Sequence, residues 1–175
     1  DALTILEKFG TLDVNLMYIG AKNNVFNSHV EFFSKMKKGT LYGLTPLVNE
    51  TACGPDFYEE AKKSGHYIEL DPAMSMEEAK EYANKMDVLY TDTWVDMEFF
   101  NNPAYQKQKE ETLAKMMPYQ LNGDFTKDSK AIVFHDMPMH VGFEISQDVV
   151  DKNLDHILDE AENRRHAEKA VMYTL

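Results

Sequence analysis

Two kinds of pattern alternate along this chain: short continuous apolar runs, and longer stretches with apolar residues three and four positions apart. Residues 12–19, with Val-Asn-Leu-Met-Tyr-Ile at their end, read as a buried strand that stops at Gly20. Residues 24–37 follow as a helix whose face carries Phe26, Val30, Phe33 and Met36. A second strand is predicted over 40–44, closed by Thr45-Pro46. A second helix is predicted over 55–63, where Pro55 suits a first helical position and Gly65 a stop. Residues 66–70 read as a third strand. Ser75 with Glu78 makes a capping-box pattern, and the helix it opens runs to about Met86. Strands at 87–91 and 131–134 flank a long polar helix over 103–117. The chain ends read as helices too. Residues 1–9 put Leu3, Leu6 and Phe9 on one side, and residues 159–175 space Ala167, Ala170, Val171 and Thr174 helically.

Strands separated by helices build βαβ units. The predicted fold is α/β, a three-layer sandwich with a mostly parallel, Rossmann-like sheet of about five strands. In such sheets ligands bind beyond the carboxyl ends of the strands, which nominates the loops 20–27, 92–102 and 135–145. Two terminal helices with apolar stripes need a surface to lie against, as in one lobe of a two-lobe protein.

Composition narrows the field. The 175 residues are 43% apolar, enough for one packed core. Thirty acidic against 18 basic residues give a net charge of −12, which argues against a nucleic-acid binder or an anionic membrane surface. No apolar run approaches the ~18 residues of a membrane span, and no leader pattern is visible. The single cysteine, Cys53, excludes an internal disulfide and a cysteine-based zinc site, and suggests a reducing, cytoplasmic setting.

The three loops carry the candidate chemistry. The first runs into a helix N-terminus and holds Asn23 and Asn24, amides that can donate or accept; one of them, Asn23, is equally a helix cap. There is no Gly-rich dinucleotide fingerprint. The second loop starts with Asp92, where a carboxylate can meet a ligand amine, and adds Asp96 and Glu98 around Trp94. Read without context, it is a solvated acidic loop with Trp94 as packing anchor. The third holds His135, Asp136 and His140, and a Met137-Pro138 bond open to the cis form. Each histidine alone is more often structural than a ligand, and nothing specifies a third zinc ligand.

Taken in order, these segments resemble one family. They are Asp-Ala-Leu-Thr-Ile-Leu-Glu at 1–7, Asn-Asn-Val-Phe-Asn-Ser at 23–28, Tyr-Thr-Asp-Thr-Trp-Val-Asp-Met at 90–97, Tyr-Gln-Leu-Asn at 119–122, His-Asp-Met-Pro at 135–138 and Glu-Asn-Arg-Arg-His at 162–166. The chain is similar to the second, acceptor-binding lobe of the aspartate/ornithine carbamoyltransferases, nearest the ornithine branch. The resemblance implies transfer of a carbamoyl group from carbamoyl phosphate to an amine, with phosphate released. It implies no cofactor and no metal, and trimers with active sites between neighbouring chains. Asn24 matches the asparagine that holds the acceptor's backbone groups, and Asp92 the aspartate that binds its α-amino group. Met97 matches the methionine of a Ser-Met-Gly element. Asp136 and Met137 occupy the Cys-Leu of a His-Cys-Leu-Pro loop at the reacting centre. Arg164 matches the arginine that reaches carbamoyl phosphate.

The departures concern specificity. Ser-Met-Gly reads Asp96-Met97-Glu98 here, and the loop cysteine is Asp136. A carboxylate at 96 would repel an acceptor's own carboxylate and favour a second cation, so a diamine such as putrescine is an alternative acceptor. A non-catalytic paralogue is the other alternative, although a scaffold has no use for Asn24, Asp92 and Arg164. The family's Ser-x-Arg-Thr phosphate loop and His-Pro-x-Gln stretch are absent from these residues and belong to the first lobe. The expectation is that residues 1–175 alone neither bind carbamoyl phosphate tightly nor turn over, and that helices 1–9 and 159–175 pack on the carbamoyl-phosphate lobe.

Overall fold

The computed structural model describes residues 1–95 and 97–174, and of residues 97 and 98 the backbone alone. Its elements in chain order are α1 (Ala2–Phe9), β1 (Asn15–Lys22), α2 (Asn24–Met36), β2 (Thr40–Val48), α3 (Pro55–Lys62), β3 (Tyr67–Glu69), α4 (Met76–Ala83), β4 (Val88–Thr91), α5 (Met97–Phe100), α6 (Gln106–Met116), α7 (Gly123–Thr126), β5 (Ile132–His135) and α8 (Gln147–Thr174). All strand pairings are parallel, in the order β3-β2-β1-β4-β5. The α/β sandwich expected from sequence is the fold observed, with every pairing parallel rather than most.

Successive residues of each strand point to opposite faces, so the continuous apolar runs supply two cores at once. From β1, Leu16 and Tyr18 join Phe26, Val30, Phe33, Tyr58 and Tyr67 under α2 and α3. Met17 and Ile19 join Ala79, Ala83, Phe125, Val149 and Ile157 under α4, α7 and α8. Phe26 sets how closely α2 lies on the sheet. A Cβ on Gly43 would sit 2.6 Å from the Phe26 ring, so only glycine fits beneath it. The box of Ser75 and Glu78 caps α4 with both of its reciprocal hydrogen bonds.

Four boundaries differ from the sequence reading. β1 begins at Asn15 and continues past Gly20 to Lys22, so the first loop shrinks to Asn23. β2 continues through Pro46, because the β1–β2 register shifts between Ile19 and Ala21 and the irregularity absorbs the missing N–H. The helix read over 103–117 is a 3-10 turn, Pro103–Tyr105, followed by α6. The last helix begins at Gln147, not 159, so α8 is one rod of 28 residues. Val149, Val150 and Ile157 are the signal for its first half.

Along β5, which is an edge strand, α8 covers the outer N–H groups with side chains. Asn153 Oδ1 accepts from Val133 N at 2.9 Å and Glu160 Oε2 from His135 N at 3.0 Å. These two residues are seven apart on one helix face. Further on, Asn163 Nδ2 donates to Thr4 Oγ1 at 3.1 Å and Glu7 Oε2 at 2.7 Å, and Lys8 pairs with Asp159, so α1 docks on the middle of α8. Ile5 is buried in the core that lies under α2 and α3. Leu6 is 46% exposed, and Val171, Met172 and Tyr173 stand in solvent.

Candidate functional site

The strand order reverses at β1, which has β2 on one side and β4 on the other. A crevice opens beyond the carboxyl ends at such a switch point. Asn23 directly follows β1 and Asp92 directly follows β4. Their side chains meet there, Asn23 Nδ2 donating to Asp92 Oδ2 at 2.7 Å. The amide orientation is determined by its other end. Asn23 Oδ1 caps α2 by accepting from Phe26 N at 2.9 Å and also accepts from the Tyr18 hydroxyl at 3.4 Å, so Nδ2 must face the carboxylate. Asn23 is therefore both cap and bridge.

Asp92 is 7% exposed, and its second oxygen accepts from Thr93 N at 2.7 Å. Burial pushes its carboxyl up to about 6, against the two hydrogen bonds that pull it down. Beneath it lies an aromatic bed. Tyr18 stacks on Tyr90 at 5.7 Å, and His29 meets Tyr90 edge-on at 4.3 Å. His29 is buried and held neutral, its pKa lowered to about 3 by desolvation. Burial also raises the hydroxyls of Tyr18 and Tyr90 well above the ordinary value, so both stay protonated.

Across from Asp92, β5 ends at His135 and hands the chain to Asp136 and Met137. Asp136 is half-buried and Met137 is 42% exposed; the Met137–Pro138 bond is cis. Burial dominates the shifts at Asp92 and Glu160, and Glu168 that at Arg164; the Asp136 charge adds a smaller upward shift at each. Glu160 is 5% exposed, and burial pushes its carboxyl up to about 7. One turn later on the same face, Arg164 extends into solvent, its side chain 75% exposed, with Nε donating to Glu168 Oε1 at 3.0 Å.

Asn24 sits at the first turn of α2 and is exposed. Its backbone N–H donates to Thr51 Oγ1 at 3.3 Å, and its Oδ1 accepts from the Thr51 hydroxyl at 3.5 Å. Asp96 lies outside the described residues, as do the side chains of Met97 and Glu98. Trp94 is the packing anchor that its context-free reading suggests, 2% exposed. It lines a cavity of about 180 Å³ with Val48, Glu50, Phe99, Tyr105 and Lys109. The described residues contain no cluster of three or more His, Cys, Asp or Glu able to hold a metal.

Sequence reasoning missed Glu144 and Glu160. Both lay in view, one inside the third loop and the other four residues before Arg164, yet a lone glutamate in a helix or loop is normally solvated. Only the fold buries them against His135.

This is a parallel α/β domain whose switch point carries a buried carboxylate pinned by an asparagine amide. Residues 12–175 match the family model described as aspartate/ornithine carbamoyltransferase, Asp/Orn binding domain, and the chain belongs to that family. An ornithine carbamoyltransferase of Pyrococcus horikoshii is 35% identical over all of this chain and 53% of its own length. One from Chlorobaculum tepidum is 34% identical over all of this chain and 49% of its own length. The solved ornithine carbamoyltransferase from Pyrococcus furiosus superposes with a TM-score of 0.77 at 30% identity, covering 97% of this chain and 52% of that one. The chain spans about half the length of the curated relatives it matches.

Proposed function

We propose that residues 1–175 are the acceptor-binding lobe of a carbamoyltransferase that moves the carbamoyl group of carbamoyl phosphate to an amine, ornithine or a related amino acid. The observation that carries this is the Asn23–Asp92 pair at the switch point, a buried anionic acceptor aimed at the position an ammonium would take. Asn24 and Asp92 hold the acceptor, with Asp96 and Met97 contributing from the loop after β4. An ammonium beside Asp92 keeps it ionised and offsets its burial.

Asp136, Met137 and Arg164 serve the reacting centre. The acceptor nitrogen forms the new bond to the carbamoyl carbon. The bond from that carbon to the phosphate oxygen breaks, and phosphate leaves with the electron pair. Asp136 orients the amine and takes the proton that the nitrogen sheds. Met137 contributes its carbonyl and its apolar side chain beside the carbamoyl group. Arg164, whose guanidinium is free to swing from Glu168, meets the anionic donor. The exposed stripe of Val171, Met172 and Tyr173 is where the carbamoyl-phosphate-binding lobe would dock. A trimeric assembly and a cytoplasmic setting belong to the same reading.

The carboxylates at 96 and 136 favour a second reading in which the acceptor is a diamine such as putrescine. Both readings are tested on the full-length protein with carbamoyl phosphate and a panel of ornithine, acylated ornithines, lysine, aspartate and diamines. Phosphate release and the mass of the carbamoylated product are followed. Turnover with ornithine selects the first reading, and turnover with a diamine alone selects the second. A folded protein that releases no phosphate with any amine loses both, and a non-catalytic paralogue takes their place.

A further inference from the structure

The loop that carries Asp136 and Met137 leaves the sheet at His135 and turns back by His140, and one buried side chain touches both of those residues. Glu144 is 1% exposed. Its Oε1 lies 3.1 Å from His135 Nε2 and also accepts from the His140 backbone N–H. The ring nitrogen that faces the carboxylate carries the proton, which leaves His135 Nδ1 as the lone-pair nitrogen; Nδ1 is buried with no partner among the described residues. The loop cannot slide along β5, because Glu160 takes the His135 N–H. Its far side is held by Gln120, whose Nε2 donates to Gly142 O at 3.0 Å and Phe143 O at 2.9 Å. His140, positioned by Glu144, in turn stacks on Phe100 at 3.5 Å, and Lys109 lies over the Phe100 ring at 4.7 Å. Phe100 ends α5, in the loop that follows Asp92. A single oxygen thus sets both ends of the Asp136 segment and, through His140, the loop on the acceptor side.

We propose that Glu144 is a positioning residue for carbamoyl transfer, the buried post that holds Asp136 and Met137 in register with the acceptor loop. This rests on the carbamoyltransferase reading above. The role is geometric: what matters is an acceptor oxygen at that point, since two N–H groups converge on it. Glu144→Gln keeps the oxygen in place and removes the charge. Glu144→Asp keeps the charge and withdraws the oxygen by one methylene.

The test uses the full-length protein and the amine it carbamoylates. A displacement near 1 Å at a reacting group costs about 10²-fold, so kcat of Glu144→Asp should fall by roughly that factor, with KM for carbamoyl phosphate within about twofold. Glu144→Gln should stay within about fivefold of wild type, because its amide oxygen accepts the same two bonds. The ¹⁵N shifts of the His135 ring give an independent readout. The Nε2–H form should persist in Glu144→Gln and give way to mixed tautomers in Glu144→Asp. The reverse order of the two variants would mean that charge, not position, is used, and would overturn the proposal. So would two variants that lose thermal stability alike at unchanged kcat. A wild-type protein that carbamoylates no amine overturns the underlying functional reading instead, and an active wild type with both variants fully active overturns this proposal alone.

Discussion

The residues near the carboxyl ends of β1, β4 and β5 divide into a buried wall and an exposed one. The sheet wall, with Asn23, Asp92, His135, Glu144 and Glu160, is buried, and most of its polar atoms are held by named partners. The outer wall, with Asn24, Met137 and Arg164, is exposed, and Arg164 is held only by an exposed helical pair. The first wall is preorganised within this chain. Burial strengthens its hydrogen bonds and raises the carboxyl pKa of Asp92 and Glu160. The second is built from exposed groups that lose little by moving. An exposed ion pair at i, i+4 is screened by solvent and contributes little, so Arg164 is only weakly held.

The largest effect expected from this contrast is at Arg164. Arg164→Ala in the full-length protein should lower kcat/KM by about 10²–10³-fold, the usual loss for one donor to a developing oxyanion. The melting temperature of the 175-residue chain should not move. A large loss of stability would place Arg164 in the structural wall instead.

Glu160 tests the buried wall through pH. Burial raises its folded pKa from 4.5 to about 7. The unfolded chain therefore ionises first, the folded state holds more protons between those values, and stability falls as pH rises through that window. Glu160→Gln keeps the acceptor for His135 N and cannot ionise. It should match wild type near pH 4 and exceed it at pH 8 by about 3 kcal/mol, at roughly 1.4 kcal/mol for each pH unit of difference. Melting curves across pH 4–8 check this, and a gap between the two proteins that stays constant with pH would remove the burial argument.

Asp92, whose raised carboxyl adds to the same loss of stability with rising pH, should also appear in binding. It must be ionised to hold an ammonium and titrates near 6. KM for the acceptor should be flat above pH 7 and rise about tenfold per unit well below pH 6. A profile without that limb would mean that Asp92 does not meet the amine.

The smallest effect is expected at Asn23. Removing the cap in Asn23→Ala should cost about 1–2 kcal/mol in chemical denaturation. The acceptor KM should rise as well, because Asp92 loses the amide that aims it; a cost in stability with KM unchanged would reduce Asn23 to a cap.

Much of this was legible in residue order. The strand runs, the Ser75–Glu78 box, the Asn23 cap and the carbamoyltransferase resemblance all rest on neighbours a few positions apart. The errors share one cause. Thr45-Pro46 is a strand stop when read locally, yet the β1–β2 register shift accommodates it. Residues 147–158 look polar because only one side of α8 faces the sheet. The first loop looked like an eight-residue ligand loop and is one residue, because pairing with β2 draws β1 out to Lys22.

The sequence by itself determined the α/β alternation and the parallel sheet and nominated Asp92, Asp136 and Arg164 as candidates, because hydrophobic period, turn chemistry and motif are local properties. Only the tertiary structure decided the strand order that brings Asn23 to Asp92, 69 positions apart along the chain. It alone buried Glu144 and Glu160 against one histidine. A glutamate's environment is made by whichever elements pack around it, and no local pattern encodes that burial.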